Sequence, residues 1–141
     1  MKVYVAGPFF VQEQIKRVNQ VIAVLEGEDI EFFSPKDANL WKPGDDPFRV
    51  LKGNTDAIDS CDTLIAITDD KDTGTMFEAG YAYAKYKRII YMWFEHLDGQ
   101  RFNLMLGCSG AVARDINELV RIVRVYKAGE KIQRQEELDL E

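Results

Sequence analysis

Apolar and polar positions fall along the chain in two kinds of block. Residues 2–6 form a short apolar run that ends at Gly7-Pro8, which predicts a buried strand followed by a turn. Over 12–25 the apolar residues Ile15, Val18, Ile22 and Leu25 recur at helical spacing with polar residues between them, and Gly27 closes the stretch. Residues 30–33 predict a second strand, stopped by Ser34-Pro35. A polar loop follows, with Asp37, Asn39, Trp41 and the turn Lys42-Pro43-Gly44-Asp45. Pro47, favoured in a first turn, opens a helix that runs to Ser60. Residues 63–68 are almost continuously apolar, as in a strand buried on both faces. A loop over 69–74, a helix over 75–86, a strand over 88–94, a short element near Leu104-Met105 and a last helix over 115–126 complete the order.

Strands alternating with helices predict an α/β fold: a single-domain parallel sheet of about five strands flanked by helices, Rossmann-like or flavodoxin-like, with right-handed crossovers. The domain takes residues 1–127. The tail, 128–141, is highly charged and is expected to be solvated or loosely held. In such sheets the ligand sits beyond the carboxyl ends of the strands, where strand order reverses. That rule selects the loops after the first and third strands, which are expected to face each other. One carries Gly7-Pro8-Phe9-Phe10, the other Asp69, Asp70, Asp72 and Gly74.

The 141 residues are 46% hydrophobic, which suits one globular domain. A net charge of −6 without a basic stripe argues against nucleic acid as a partner and for small neutral ligands. The start of the chain is unlike a signal peptide, and no apolar run approaches a membrane span, so neither secretion nor a membrane partner is expected. Cys61 and Cys108 stand far apart without a C-x-x-C and read as reduced thiols of a cytoplasmic protein. His96 is the only histidine, which excludes a histidine-rich zinc site. Neither G-x-G-x-x-G nor G-x-x-x-x-G-K-[ST] occurs, which leaves dinucleotide and triphosphate binding little support.

The richest stretch for chemistry is the third loop and its helix. Asp72 and Glu78 stand six residues apart, with Gly74 and Thr75 as the expected turn and cap between them. Glu78 is expected on the first helical turn, where the dipole and the free N–H groups favour an ionised carboxylate, as a nucleophile requires. The same pattern also suits two carboxylates that merely cap a helix. Phe9 and Phe10 are core residues or an aromatic wall on which a base stacks. Tyr4 packs within its strand, or its hydroxyl reaches the site if it faces the third strand.

These segments together resemble the nucleoside 2-deoxyribosyltransferase family. The likeness runs from V-Y-V-A-G-P-F-F at 3–10 to F-N-L-M-L at 102–106 and is most specific in D-T-G-T-M-F-E-A-G-Y-A-Y-A at 72–84. The resemblance implies that Glu78 is the nucleophile, Asp72 the base-contacting proton donor and Tyr4 the residue that orients the nucleophile. It implies Phe9 as the stacking aromatic and Asn103, from a neighbouring subunit, as the contact to the sugar 5'-hydroxyl. Gly7 and Met105 join the substrate-contacting set. Asn39 is the nearest counterpart of a base-contacting polar residue, although a loop amide making local hydrogen bonds is its preferred reading. One position departs from the family's pattern. Where a further aspartate is usual this chain has Asn54, with Asp56 two residues later, so either an amide replaces the carboxylate or Asp56 serves. An amide both donates and accepts but does not titrate.

The implied chemistry is a double displacement on 2'-deoxynucleosides and free nucleobases. It uses a covalent glutamyl intermediate, requires no metal or organic cofactor, and lets water act as an alternative acceptor. The implied assembly is a homo-oligomer whose sites are shared between subunits. Two rivals stand beside it: a 2'-deoxynucleoside 5'-monophosphate N-hydrolase on the same fold, and a nucleoside-binding module that has lost turnover.

Overall fold

The computed structural model describes residues 1–132, 135 and 137–141. Its first strand, β1 (Lys2–Ala6), leads into α1 (Gln12–Gly27), which returns the chain to β2 (Glu31–Phe33). A single turn, α2 (Pro35–Ala38), and the helix α3 (Pro47–Ser60) lead to β3 (Thr63–Ile67). The helix α4 (Thr73–Ala84) joins β3 to β4 (Arg88–Met92). A short α5 (Leu104–Ser109) precedes β5 (Ala111–Ala113), and α6 (Ile116–Lys127) closes the domain. All pairings are parallel, in the order β2-β1-β3-β4-β5. The chain grows one way from β1 to β2 and the other way from β3 onward, so the switch point lies between β1 and β3.

Alternation along the strands divides the core. Val3, Val5, Ile65, Ile67, Ile90 and Met92 point to the side covered by α1 and α6. Tyr4, Ala6, Leu64, Ala66, Ile89 and Tyr91 point to the other, against Ala57 and Ile58 of α3 and Ala79 and Ala82 of α4. A sheet covered on both faces explains why β3 is buried throughout. At the switch point the strands approach closely: a Cβ on Gly7 would stand 3.0 Å from Ile67 Cδ1. The loops after β1 and β3 therefore do lie side by side.

Three expectations need correction, and a fifth strand that the sequence left unplaced is located. The segment after Ser34-Pro35 is not all loop, because Pro35 sits in the first turn of α2. The fifth strand is Ala111–Ala113, three residues long and so without room for a periodic signal. Its approach depends on Gly110, where a Cβ would meet the Ile89 carbonyl oxygen at 2.5 Å. The helix of the third loop begins at Thr73, because Asp72 caps it, not Thr75. The end of the tail, residues 138–141, is docked and not solvated. Leu138 is buried among Tyr91, Phe102 and Val112, and Leu140 pairs with Phe102 in a parallel bridge. Phe102 N–H donates to Asp139 O at 2.8 Å, Glu141 N–H to Phe102 O at 2.9 Å and Leu104 N–H to Glu141 O at 2.7 Å. Among the described residues no helix is long and apolar enough to cross a membrane.

Candidate active site

The site grows from β1 and α4. Tyr4 is fully buried, its ring stacked on Phe33 at 5.6 Å and 17° on the face covered by α3 and α4. That face carries the hydroxyl to Glu78, and Tyr4 Oη donates a hydrogen bond to Glu78 Oε2. Burial and the Glu78 charge push the phenol pKa far up, so Tyr4 is a neutral donor.

Glu78 does not stand where the sequence suggested. With Asp72 as N-cap and Thr73 as the first helical residue, Glu78 lies in the second turn, beyond the free N–H groups. Its electrostatics differ accordingly. Burial pushes the carboxyl up to about 7, the Tyr4 hydrogen bond pulls it down and the Asp72 charge pushes it up. The ionised form is held by one phenol and not by the helix end. Small neighbours leave room for approach: Ala79 is buried and Gly80 has open space where a Cβ would stand.

Asp72 is held by its capping bonds. Its Oδ2 accepts from Thr75 N–H at 2.8 Å and from Thr75 Oγ1 at 2.9 Å. Oδ1 has no partner among the described residues, so one carboxylate oxygen stays available. Gly7 packs on Ile67, Phe9 is half-buried, and Phe10 beside it is 75% exposed, their rings stacked at 5.6 Å. Tyr4, Glu78 and Asp72 thus form one cluster, with Gly7 and Phe9 on the adjoining loop.

The amides sit elsewhere on the rim. Asn39 Nδ2 donates to Val50 O at 3.1 Å and to Asn54 Oδ1 at 2.9 Å, while Asn39 Oδ1 accepts from Arg49 Nη1 at 2.8 Å. The structure therefore joins Asn39 to Asn54. Asp56 is turned to the outer face of α3, paired with Lys52 one turn away. Asn103 caps α5, accepting from Leu106 N–H at 3.2 Å. It lines a cavity of about 340 Å³ with Lys71, Met76, Trp93 and Arg101. Met105 is 74% exposed and lines a pocket with Met76, Ala79, Gly80 and Tyr83 of α4. Within one chain neither Asn103 nor Met105 bonds to Glu78, Asp72 or Tyr4 among the described residues.

Sequence reasoning missed Arg17. It is 6% exposed on α1, and its guanidinium meets Asp70 at 3.3 Å, Glu95 more closely and Glu13 at 3.8 Å. Beside it, Asp69 accepts from the N–H groups of Phe94 at 3.0 Å and Glu95 at 2.6 Å. These bonds tie the loop that carries Asp72 to the loop after β4. The available signal was the run of acidic residues at 69–72 and at 95 with no basic residue near them in sequence except Lys71.

Comparison with known proteins bears on this geometry. The family model described as nucleoside 2-deoxyribosyltransferase matches residues 3–105. Among solved structures, the 2-deoxyribosyltransferase from the psychrotolerant bacterium Bacillus psychrosaccharolyticus superposes with a TM-score of 0.71 at 30% identity, over 85% of this chain and 90% of that one. The 2-desoxiribosyltransferase from Leishmania mexicana gives 0.64 at 26% identity, over 87% and 97%. The CMP N-glycosidase of Clostridium botulinum gives 0.61 at 25% identity, over 89% and 100%. Among curated proteins no sequence matches. The matched span begins within β1 just before Tyr4 and runs through the Asp72–Glu78 segment to Met105, and by that match the chain belongs to the nucleoside 2-deoxyribosyltransferase family.

Proposed function

We propose that the protein cleaves the N-glycosidic bond of 2'-deoxynucleosides and transfers the 2-deoxyribosyl group to a second nucleobase. The observation that carries this reading is the buried Tyr4–Glu78 pair at the switch point, beside a capped aspartate with one free oxygen. Glu78 attacks C1' as the bond to the base breaks, through an oxocarbenium-like transition state, and becomes esterified to the sugar. The bonding pair stays on the base nitrogen, and Asp72 supplies the proton the departing base needs. A nitrogen of the acceptor base then attacks C1', Glu78 leaves as carboxylate, and the acceptor's proton returns to Asp72. Water in the acceptor's place gives hydrolysis. Phe9 supplies an aromatic face for the base, with Phe10 stacked behind it. Asn103 and Met105 are contributed by a neighbouring copy, a reading supported by their exposure and by the absence, among the described residues, of any hydrogen bond from them to Glu78.

A base-exchange assay tests the reading. Deoxyinosine with adenine should give deoxyadenosine and hypoxanthine, with exchange lost in Glu78→Ala and reduced about 100-fold or more in Asp72→Asn. Exchange at wild-type rate in Glu78→Ala would remove Glu78 from the mechanism.

A second reading, hydrolysis of a nucleoside 5'-monophosphate, has one specific support. Lys71 and Arg101 line the same cavity as Asn103, and a phosphate needs such cations. Base release only from the monophosphate, equally fast with and without acceptor, would favour it.

A further inference from the structure

The polarity of the Asn39–Asn54 pair can be read without ambiguity. Arg49 only donates, so the atom of Asn39 that meets its Nη1 at 2.8 Å must be the amide oxygen. The Val50 carbonyl only accepts, so the atom of Asn39 that meets it at 3.1 Å must be the amide nitrogen. Both neighbours fix the same orientation of Asn39. Its nitrogen therefore also faces Asn54, and Asn54 must answer with its oxygen, at 2.9 Å. The Asn54 NH2 group is left over, with no partner among the described residues.

The chain that sets this polarity is hydrogen-bonded at each step. Arg49 is held by Leu40 O at 3.2 Å and Asp45 Oδ2 at 3.0 Å, and Asp45 also accepts from Lys42 N–H at 2.8 Å. Asn39 lies so close to α3 that a Cβ on Gly53 would stand 2.5 Å from its Nδ2, so Gly53 is what admits it. The Asn54 oxygen is engaged by Asn39, from the segment after β2, so its NH2 is the group left to a ligand. Asn54 also lies one turn before Ala57 and Ile58, on the side of α3 that faces Tyr4. The two helices meet where Tyr81 Oη donates to Asp59 at 2.9 Å. From that level Glu78 is three residues and Asn54 five residues back along their helices. At about 1.5 Å per residue, Asn54 sits roughly one half-turn nearer the carboxyl ends of the strands than Glu78. A base attached to a sugar on Glu78 would extend in that direction.

Resting on the glycosidic reading above, we propose that Asn54 selects the nucleobase by offering it a hydrogen-bond donor. It would favour 6-oxopurines and 4-oxopyrimidines over their 6-amino and 4-amino counterparts. An oxo group accepts from the Asn54 NH2. An amino group at the same place meets donor with donor, and both are left unsatisfied away from water. An aspartate at 54 would present only acceptors and reverse the choice.

The test compares kcat/KM for base release within two matched pairs, deoxyinosine against deoxyadenosine and deoxyuridine against deoxycytidine, with one common acceptor base. Wild type is expected to favour the oxo member by about tenfold or more. Asn54→Asp should bring the ratio to one or below it, and Asn39→Ala, which frees the Asn54 amide to rotate, should shrink it. The Asn39 variant keeps the test sharp if Asn54→Asp folds poorly. Equal rates within each pair for wild type overturn this inference alone, as does a ratio unchanged in both variants. Cleavage of none of the four overturns the glycosidic reading, and this one with it.

Discussion

At the scale of the residue, Glu78 is a carboxylate whose charge the fold opposes. Its ordinary value of 4.5 is pushed up to about 7, chiefly by burial, with only the Tyr4 hydroxyl pulling it back. Only the ionised form attacks carbon, so kcat/KM should rise with pH along a limb centred near 7. Tyr4→Phe keeps the ring on Phe33 but removes the bond that favours the charge, so that limb should move to higher pH. A pH–rate profile of both proteins checks this, and coincident limbs would deny Tyr4 the role. The same shift bears on stability. Between about 4.5 and about 7 the native state binds more protons at Glu78 than the unfolded chain does, so stability falls as pH rises through that window. Above it the full cost is present, at most about 3 kcal/mol. Glu78→Gln should therefore be more stable than wild type at pH 8 and nearly equal to it near pH 4, as denaturant titrations at the two pH values would show.

At the scale of the element, the β3–α4 unit decides where Asp72 and Glu78 sit, and much of it was legible. The helix read from Pro47 to Ser60 is the one observed, because Asp46 at the cap and Pro47 in the first turn mark its start chemically. The start of α4 was misplaced by two residues because Asp72 and Thr75 are both able caps, and only the fold shows which one is used. That shift moved Glu78 out of the first turn and reversed the argument for its ionisation. Arg17 was illegible for another reason: its two nearest partners, Asp70 and Glu95, lie 53 and 78 residues away, and periodicity carries no long-range charge pairing. Arg17→Met would leave Asp69, Asp70 and Glu95 facing one another without a cation. Asp70 and Glu95 are exposed enough to regain water, so the loss is about 1–3 kcal/mol and not that of a fully buried pair. Added salt should recover part of it by screening the remaining carboxylates. Denaturation midpoints at low and high salt test this, and a salt-independent loss would mean that packing alone holds the loop.

At the scale of the whole molecule, the end of the tail packs against α5, the helix for which a shared site is proposed. Gln135 donates to Val112 O at 2.9 Å and accepts from Val112 N–H at 2.7 Å, so a side chain closes the edge of β5. Leu140 lies against Gly107, where a Cβ would stand 2.5 Å from its Cδ2. The tail therefore braces the segment that carries Asn103 and Met105. Charge composition concealed this, because two leucines at alternate positions, Leu138 and Leu140, are the only sign of a strand. The sharing of sites proposed above makes a prediction that neither subunit alone fulfils. Glu78→Ala and Asn103→Ala should each lose exchange. When the two variants are mixed under conditions that allow subunits to redistribute, some sites combine an intact Glu78 from one copy with an intact Asn103 from the other. Activity should then reappear in the mixture, in proportion to the mixed species resolved by native mass spectrometry. A mixture that stays inactive although mixed oligomers form would mean that each chain completes its own site, with α5 moving across α4 to do so.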